Sequence, residues 1–330
     1  MKLGVILPHT KLYGGVKRFL ELGNLFIASG HTFCVYSEEG IAPDWFPFKG
    51  ETKPFAALER EPLDVLFCVE IRYTDLFLRA TAKHKIFYHI RLNEKMEKIL
   101  KYPEIEIFAC SSNAYEYDRK KYGITPFKAF GGIGYANYQA KTSYAIPTDR
   151  PVCIMAYGRL ERSKGTMQVV RACEILYKKG YNIKLLLFDT PSNEKNNRRL
   201  ARFKANVPYE YVLNHPFEKN SELFNRADIF VSAERKNAGW SNTVAEAMAC
   251  ALPVVATSYG TKDLMIDGVT ALHTYKYPFF IWRKIRKLIE DEALRKQLGE
   301  NARKHVAQFD WQILARKIEK HLEEQLQSSE

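Results

Sequence analysis

The sequence has no Cys-x-x-Cys pair, no Asp-x-Asp pair, no short repeat and no low-complexity segment. None of its apolar runs approaches the roughly 18 residues needed to span a bilayer. Each absence removes a class. Without paired cysteines a structural zinc site has little support. Its six cysteines (Cys34, Cys68, Cys110, Cys153, Cys173 and Cys250) are scattered, most of them inside apolar runs. They read as reduced core thiols, the state expected in the cytoplasm. Without Asp-x-Asp there is no obvious seat for a divalent cation, and Glu290-Asp291-Glu292 reads as a solvated face. No Ser-His-Asp grouping is legible. The glycines around Phe130–Gly134 lack the properly placed third glycine of a dinucleotide fingerprint. The start, MKLGVILPHT, has the basic opening of a secretory leader but too short an apolar part. Gly4 and Pro8 fit a first buried strand better.

What is present is an ordinary globular composition: 330 residues, 46% hydrophobic and 27% charged, enough for two domains with their own cores. Net charge is +12. Nucleic-acid binding, attraction to an anionic membrane face and funnelling of a phosphate-bearing substrate all fit that number. Small basic clusters occur at Lys83–Lys85, Arg119–Lys121 and Arg283–Lys287, unaccompanied by an aromatic-interleaved RNA motif or zinc finger.

Short runs of Val, Ile, Leu and Phe alternate with helical patterns, the mark of parallel strands joined by crossover helices. The first half offers strands near Lys2–Leu7, Thr32–Tyr36, Asp64–Val69, Lys85–His89, Ile105–Cys110 and Pro126–Phe130. The second offers Val152–Tyr157, Ile183–Phe188, Tyr209–Leu213, Asp228–Val231 and Pro253–Thr257. Helices are expected at Gly15–Ala28, Thr166–Lys179 and Thr243–Ala251, with Phe309–Gln325 the last. The polar stretch Lys141–Arg150 sets the expected domain boundary: 1–145, 146–308, and a terminal helix 309–330 packing back toward the first domain. In open parallel sheets ligands bind beyond the carboxyl ends of strands. Gly14–Gly15, Glu70, His89, Ser111–Ser112, Gly158–Arg159, Asp189, Asn214–His215, Ser232–Glu234 and Ser258–Gly260 fall at such ends. Any α/β protein has polar loops, so the pattern alone leaves the site open.

In Tyr157–Gly165, YGRLERSKG, a buried strand runs through Gly158 to Arg159 and Lys164, and Gly165 opens a helix. A helix N-terminus favours an anion, Arg159 offers a planar fork for phosphate oxygens, and Lys164 a mobile point charge. Two solvated loop cations are the alternative. In Ala233–Ala256, the small-residue loop Gly239, Trp240, Ser241, Asn242 precedes a helix from about Thr243. Small residues permit close backbone approach to a ligand, and Glu246 would accept two hydrogen bonds from a ribose diol. The competing reading is a capping box, Thr243-x-x-Glu246.

These two segments, in this order, resemble a family 4 retaining glycosyltransferase of the GT-B fold, in which two Rossmann-like domains face each other across a cleft. G-R-L-x-x-x-K-G appears as Gly158–Gly165, E-A-M-A-x-G-x-P-V-V-A as Glu246–Ala256, and D-G-V-x-G-L as Asp267–Leu272. The similarity covers roughly Pro151 to Trp311. It implies Arg159 and Lys164 on the donor diphosphate, acting in place of a metal, and Glu246 on the ribose. Gly239 to Thr243 would lie against the donor. It implies no cofactor beyond a nucleotide-sugar substrate, UDP- or GDP-linked. The first half matches more loosely. Gly14-Gly15 resembles a glycine pair on the donor phosphates and sugar. His89 resembles a histidine at the acceptor cleft that orients acceptor or sugar, although a histidine after an apolar run is commonly a core residue. Ser111-Ser112 matches a serine segment, and Phe130–Gly134 stands where P-N-G-V-D is usual.

Departures matter. The family glutamate eight residues before Glu246 is Ala238 here. Either Glu234 takes over, or the donor sugar needs no such contact, or transfer is lost. Ala251 and Ala271 replace usual glycines at little expected cost, and Asp263 stands where a glutamate facing the donor sugar is frequent. Asn214–His215 is a candidate border for the base. Tyr277–Ile289, YPFFIWRKIRKLI, mixes aromatics and cations at helical spacing. It reads either as a helix packed on the second domain or as a surface for an anionic membrane carrying lipid-linked acceptors.

The expectation is a metal-independent, retaining transfer of a hexose-type sugar to a glycan, lipid-linked or other small acceptor. The cytoplasm is the expected location, with peripheral contact at the inner membrane face. Three rivals stand beside it. One is a transferase-like nucleotide-binding subunit without activity. Another is a basic nucleic-acid-binding protein, which the transferase reading excludes as a partner. The last is a phosphorylase, for which no motif speaks.

Overall fold

Short β-branched and aromatic runs, bounded by glycine or proline, form strands paired wholly in parallel. The computed structural model describes residues 1–92, 95–146, 148–190, 194–235 and 239–328. The chain forms two compact units, Met1–Gly132 with Phe309–Glu330, and Ile133–Gln308.

The first unit is built on β1 (Lys2–Ile6), β2 (Thr32–Ser37), β3 (Glu51–Pro54), β4 (Leu63–Cys68), β5 (Ala82–His89), β6 (Ile105–Ala109) and β7 (Phe127–Lys128). Its strand order is β3-β2-β1-β4-β5-β6-β7. Helices α1 (Gly14–Ala28), α2 (Phe55–Leu58), α3 (Thr74–Arg79) and α4 (Ser112–Tyr122) make its crossovers. The second unit carries β8 (Val152–Tyr157), β9 (Ile183–Asp189), β10 (Tyr209–Leu213), β11 (Ile229–Ser232), β12 (Val254–Ala256) and β13 (Leu272–His273), in the order β10-β9-β8-β11-β12-β13. Its helices are α5 (Thr166–Lys178), α6 (Glu194–Ala201), α7 (Asn220–Asn225), α8 (Asn242–Ala249), α9 (Pro278–Glu290) and α10 (Glu292–Val306). The chain then returns to the first unit as α11 (Trp311–Gln327), which packs on α1.

Both units are therefore Rossmann-like. Strand order reverses between β1 and β4 in one and between β8 and β11 in the other, and such reversals open a crevice at the strands' carboxyl ends. The second core joins Ile154 of β8, Leu185 and Leu187 of β9, Val169, Val170 and Cys173 of α5, and Ile281, Trp282 and Ile285 of α9. All six cysteines are buried, and burial pushes the Cys34 and Cys153 thiols up to about 11 and Cys250 to about 12.

The units part ahead of the boundary expected at residues 145/146. Polar composition suggested a linker, but the polar groups of 133–146 are used on the second unit. Gln139 N donates to Ser221 Oγ (2.8 Å), Lys141 N to Cys250 O (2.9 Å) and the Tyr144 hydroxyl to Ala251 O (3.0 Å). The buried Arg295 guanidinium holds Tyr144 O at 2.6 Å.

Candidate functional site

At the reversal point of the second sheet, the loop after β8 meets the end of β11. Gly165 sits at φ +68°, and a side chain there would drive its Cβ to 1.8 Å from Ala233 O. The glycine is thus fixed by close approach of the next strand end. Arg235 N donates to Ser163 O (2.8 Å), tying the same two loops. The Thr166 hydroxyl donates to Arg159 O (2.6 Å), and no side chain caps α5 at its N-terminus.

The two loop cations are held by carboxylates. Lys164 Nζ donates to Glu234 Oε1 at 2.5 Å. Arg159 Nε and Nη2 both donate to Asp189 Oδ1 (3.2 and 3.0 Å), and Nη2 also to Thr190 O (2.7 Å). Burial acts to lower the Arg159 pKa, but Tyr157 and Asp189 beside it raise it above its ordinary value. Asp189 and Glu234 are themselves buried. Neither cation is therefore the solvated loop charge that composition allowed. Glu234 Oε2 is buried without a hydrogen-bond partner among the described residues. A cavity of about 10 Å³ lies between Lys164, Thr166, Ser232, Glu234 and Thr243. That is room for one water-sized group.

The helix α8 begins at Asn242, with Ser241 in the extended N-cap position and its N–H on Gly260 O at 2.8 Å. Thr243 is thus inside the helix, and the capping box Thr243-x-x-Glu246 does not form. Glu246 is a buried carboxylate in the helix body. Burial, and then Glu246 beside it, pushes the Tyr138 phenol well above its ordinary value. Gly158 accepts a hydrogen bond on its carbonyl from the Tyr211 hydroxyl, whose oxygen lies 2.7 Å from where a Gly158 Cβ would stand. Gly239 is buried and Trp240 half-buried at the start of this turn. Ala238 lies outside the described residues.

In the first unit Gly14 and Gly15 open α1 after Tyr13, and a Cβ on Gly15 would stand 2.6 Å from Ile90 Cδ1. The catalytic role expected for His89 does not fit its surroundings. The ring is fully buried, with Nδ1 on Asp118 Oδ1 (2.8 Å) and Nε2 on Arg91 O (2.7 Å), so no ring nitrogen is left for a substrate. It positions the Arg91 backbone instead. Ser111 caps α4, accepting from Ala114 N. At this sheet's own reversal point stand Glu70, paired to Arg72 (2.6 Å) and Arg91 (3.1 Å), and His9. His9 Nδ1 is buried and has no hydrogen-bond partner among the described residues, the ring packs on Tyr13 at 4.8 Å, and burial lowers its pKa. His9 was missed from sequence because nothing around it forms a motif. Only its place just past β1 would have pointed to it.

Asp263 accepts from His305 Nε2 on its backbone carbonyl (2.7 Å), Asn214 sits at φ +51°, and His215 Nε2 donates to Lys219 O (3.0 Å). These bonds join none of the three to the Lys164–Glu234 pair. A larger cavity, about 470 Å³, opens at the opposite, amino edge of the first sheet. Among the described residues His31, Glu319 and Glu323 bring potential metal-ligand atoms within 4.8 Å of one another, also in the first unit. His31 and Glu319 already pair at 2.7 Å.

The glycosyl transferases group 1 family pattern matches residues 139–305. A capsular polysaccharide biosynthesis glycosyltransferase, CapM of Staphylococcus aureus, is 28% identical over 252 residues, covering 71% of this chain and 66% of CapM. The chain thus spans just under two thirds of that relative's length. Among solved structures, the sucrose-phosphate synthase of Thermosynechococcus elongatus superposes over 100% of both chains with a TM-score of 0.79 at 16% identity. Anabaena HepE, solved in complex with UDP-glucose, covers 98% of this chain and 100% of its own with a TM-score of 0.79 at 15% identity. At such identities the likeness concerns the GT-B fold.

Proposed function

Because this chain belongs to the glycosyl transferases group 1 family, we propose that it transfers a hexose-type sugar, with retention, from a nucleoside-diphosphate donor. The observation that carries the reading is the pair of cation–carboxylate contacts, Arg159–Asp189 and Lys164–Glu234, beside the N-terminus of α5. A donor diphosphate exchanges with these carboxylates for the guanidinium fork and the ammonium, and the α5 N-terminus adds its partial positive charge. As the bond to the sugar breaks, charge grows on the leaving phosphate, and the two cations, once exchanged onto it, stabilise that charge. The acceptor hydroxyl adds on the same face, and its proton passes to that phosphate. The two cations do the work a metal does elsewhere, consistent with the family 4 likeness.

Glu246 receives the ribose diol, and Gly239 to Thr243 line the donor. The unpartnered Glu234 Oε2 accepts a hydroxyl of the transferred sugar, in place of the glutamate that Ala238 has removed. The base is uracil or guanine, carried as a UDP- or GDP-linked donor. The acceptor, a glycan, a lipid-linked sugar or a small molecule, is left to the first unit, where His9 and the Glu70–Arg72–Arg91 cluster stand at the reversal point.

A thermal-shift panel of UDP, GDP, ADP and CMP tests the donor site. A ligand at a hundred times its Kd adds about 2.7 kcal/mol to the folded state. One nucleoside diphosphate should raise the melt, and Arg159→Ala should abolish the rise. A flat panel would remove the reading. Ala238 favours one second reading, nucleotide binding without transfer. It is told apart by a melt that shifts while no donor is consumed.

A further inference from the structure

We propose that the aromatic and basic start of α9 docks on the phosphate-bearing surface of an anionic bilayer. One face of this helix is spoken for: Ile281, Trp282, Ile285 and Leu288 are buried in the core of the second unit. The remaining rings at its N-terminus are not. Tyr275, Tyr277, Phe279 and Phe280 are 62%, 54%, 53% and 41% exposed.

Three of them form a continuous surface. Tyr275 meets Phe280 at 5.2 Å, and Phe280 meets Phe279 at 5.3 Å between ring centroids. The Arg283 guanidinium lies 3.5 Å from the Phe279 centroid, and Lys276 Nζ lies 5.7 Å from that of Tyr277. Aromatic side chains gathered in the open are unusual on a monomer and mark a surface that is covered in use.

Charge selects what covers it. From His273 to Ile289 the sequence has five cations (Lys276, Arg283, Lys284, Arg286, Lys287) and no acid. Glu290, paired with Arg286, comes only at the last helical position. Rings at one end with a one-signed basic stripe behind them match the layering of a membrane interface. There aromatic rings settle at headgroup level and each nearby cation gains about 1 kcal/mol from anionic lipid.

Topology adds a use. Tyr275 follows the carboxyl end of β13, which runs parallel to β12, β11 and β8. The patch therefore stands on the same edge of the sheet as the Gly158–Gly165 loop. A bilayer held there would keep lipid-anchored substrate on the donor-binding edge. This consequence rests on the donor reading above, whereas the lipid contact does not.

The test is co-sedimentation without nucleotide, using phosphatidylcholine vesicles with and without about 30% phosphatidylglycerol. The protein should pellet with the anionic vesicles only, and leave them as NaCl rises from about 0.05 to 0.5 M. The double variant Phe279→Ser with Phe280→Ser, and separately Arg283→Glu, should each weaken partitioning about tenfold with an unchanged melt. The proposal is overturned by absent binding at low salt or equal binding to neutral vesicles. It is equally overturned by variants that bind like the parent, or by a self-associating protein whose dimer, and not vesicle binding, the variants abolish. Since no donor is present, failure here leaves the nucleotide panel untouched, and the reverse holds too.

Discussion

Lys164 Nζ stands 2.5 Å from Glu234 Oε1, so the lysine expected to meet a diphosphate is already paired with a buried carboxylate from the next strand end. This changes what a lysine substitution does. From sequence, removing a loop cation appears harmless to folding; here it strands a buried charge.

Lys164→Ala is accordingly expected to cost about 1 kcal/mol or more of stability, besides lowering turnover of the nucleotide sugar by at least about a hundredfold. Adding Glu234→Ala should return much of the stability and none of the turnover. Chemical denaturation and steady-state rates on the two single variants and the double form the cycle. Turnover that survives Lys164→Ala would sink the diphosphate assignment. Stabilities that simply add would sink the pair.

Ala251 carries a cost that the sequence did not reveal. It follows α8 at φ +57°, with its N–H on Met248 O (2.9 Å) and the Leu252 N–H on Ala247 O (3.0 Å). This is the left-handed helix stop where glycine is preferred, and an L-residue there costs about 1 kcal/mol. Ala251→Gly should therefore stabilise the protein by about 0.5–1 kcal/mol, after loss of one buried methyl. A lower urea midpoint would show that the methyl contact dominates.

Asp228 ties the start of β11 to the start of β8. It accepts from Arg150 Nη1 and Nη2 (2.7 and 3.0 Å) and from Cys153 N (2.9 Å). Burial alone would raise its carboxyl, but Arg150, the Cys153 N–H and Lys141 outweigh it and hold the group below the ordinary aspartate range. A folded pKa below the unfolded one means stability fully present above about pH 4 and lost as pH falls through the folded value. Asp228→Asn should cost about 2 kcal/mol at neutral pH, with the gap to the parent closing toward pH 3. Parallel urea curves at both pH values decide it; a gap independent of pH would contradict the linkage.

How far the sequence reaches can be read from particular residues. Runs such as Val152–Tyr157 and Ile183–Phe188 announce buried parallel strands because both sheet faces need apolar side chains, and they form as β8 and β9. Glu51–Pro54 gives no such signal. It is an edge strand whose outer side faces water, so its polar residues and closing proline blunt it rather than announce it. The motif Gly158–Gly165 names the cations, but not the carboxylates that hold them.

By itself, then, the sequence determined the parallel α/β class, the two halves, the loop cations and the glycine beside them. All of these follow from local spacing of apolar, small and charged residues. Tertiary structure alone decided that Lys164 meets Glu234, that Arg159 meets Asp189 and that His89 is spent on Asp118 and Arg91. It also decided that Ala251 sits where glycine belongs and that residues 133–146 lie on the second unit. Those outcomes depend on strand order and on which strand ends become neighbours, a relation between residues tens of positions apart that no local pattern encodes.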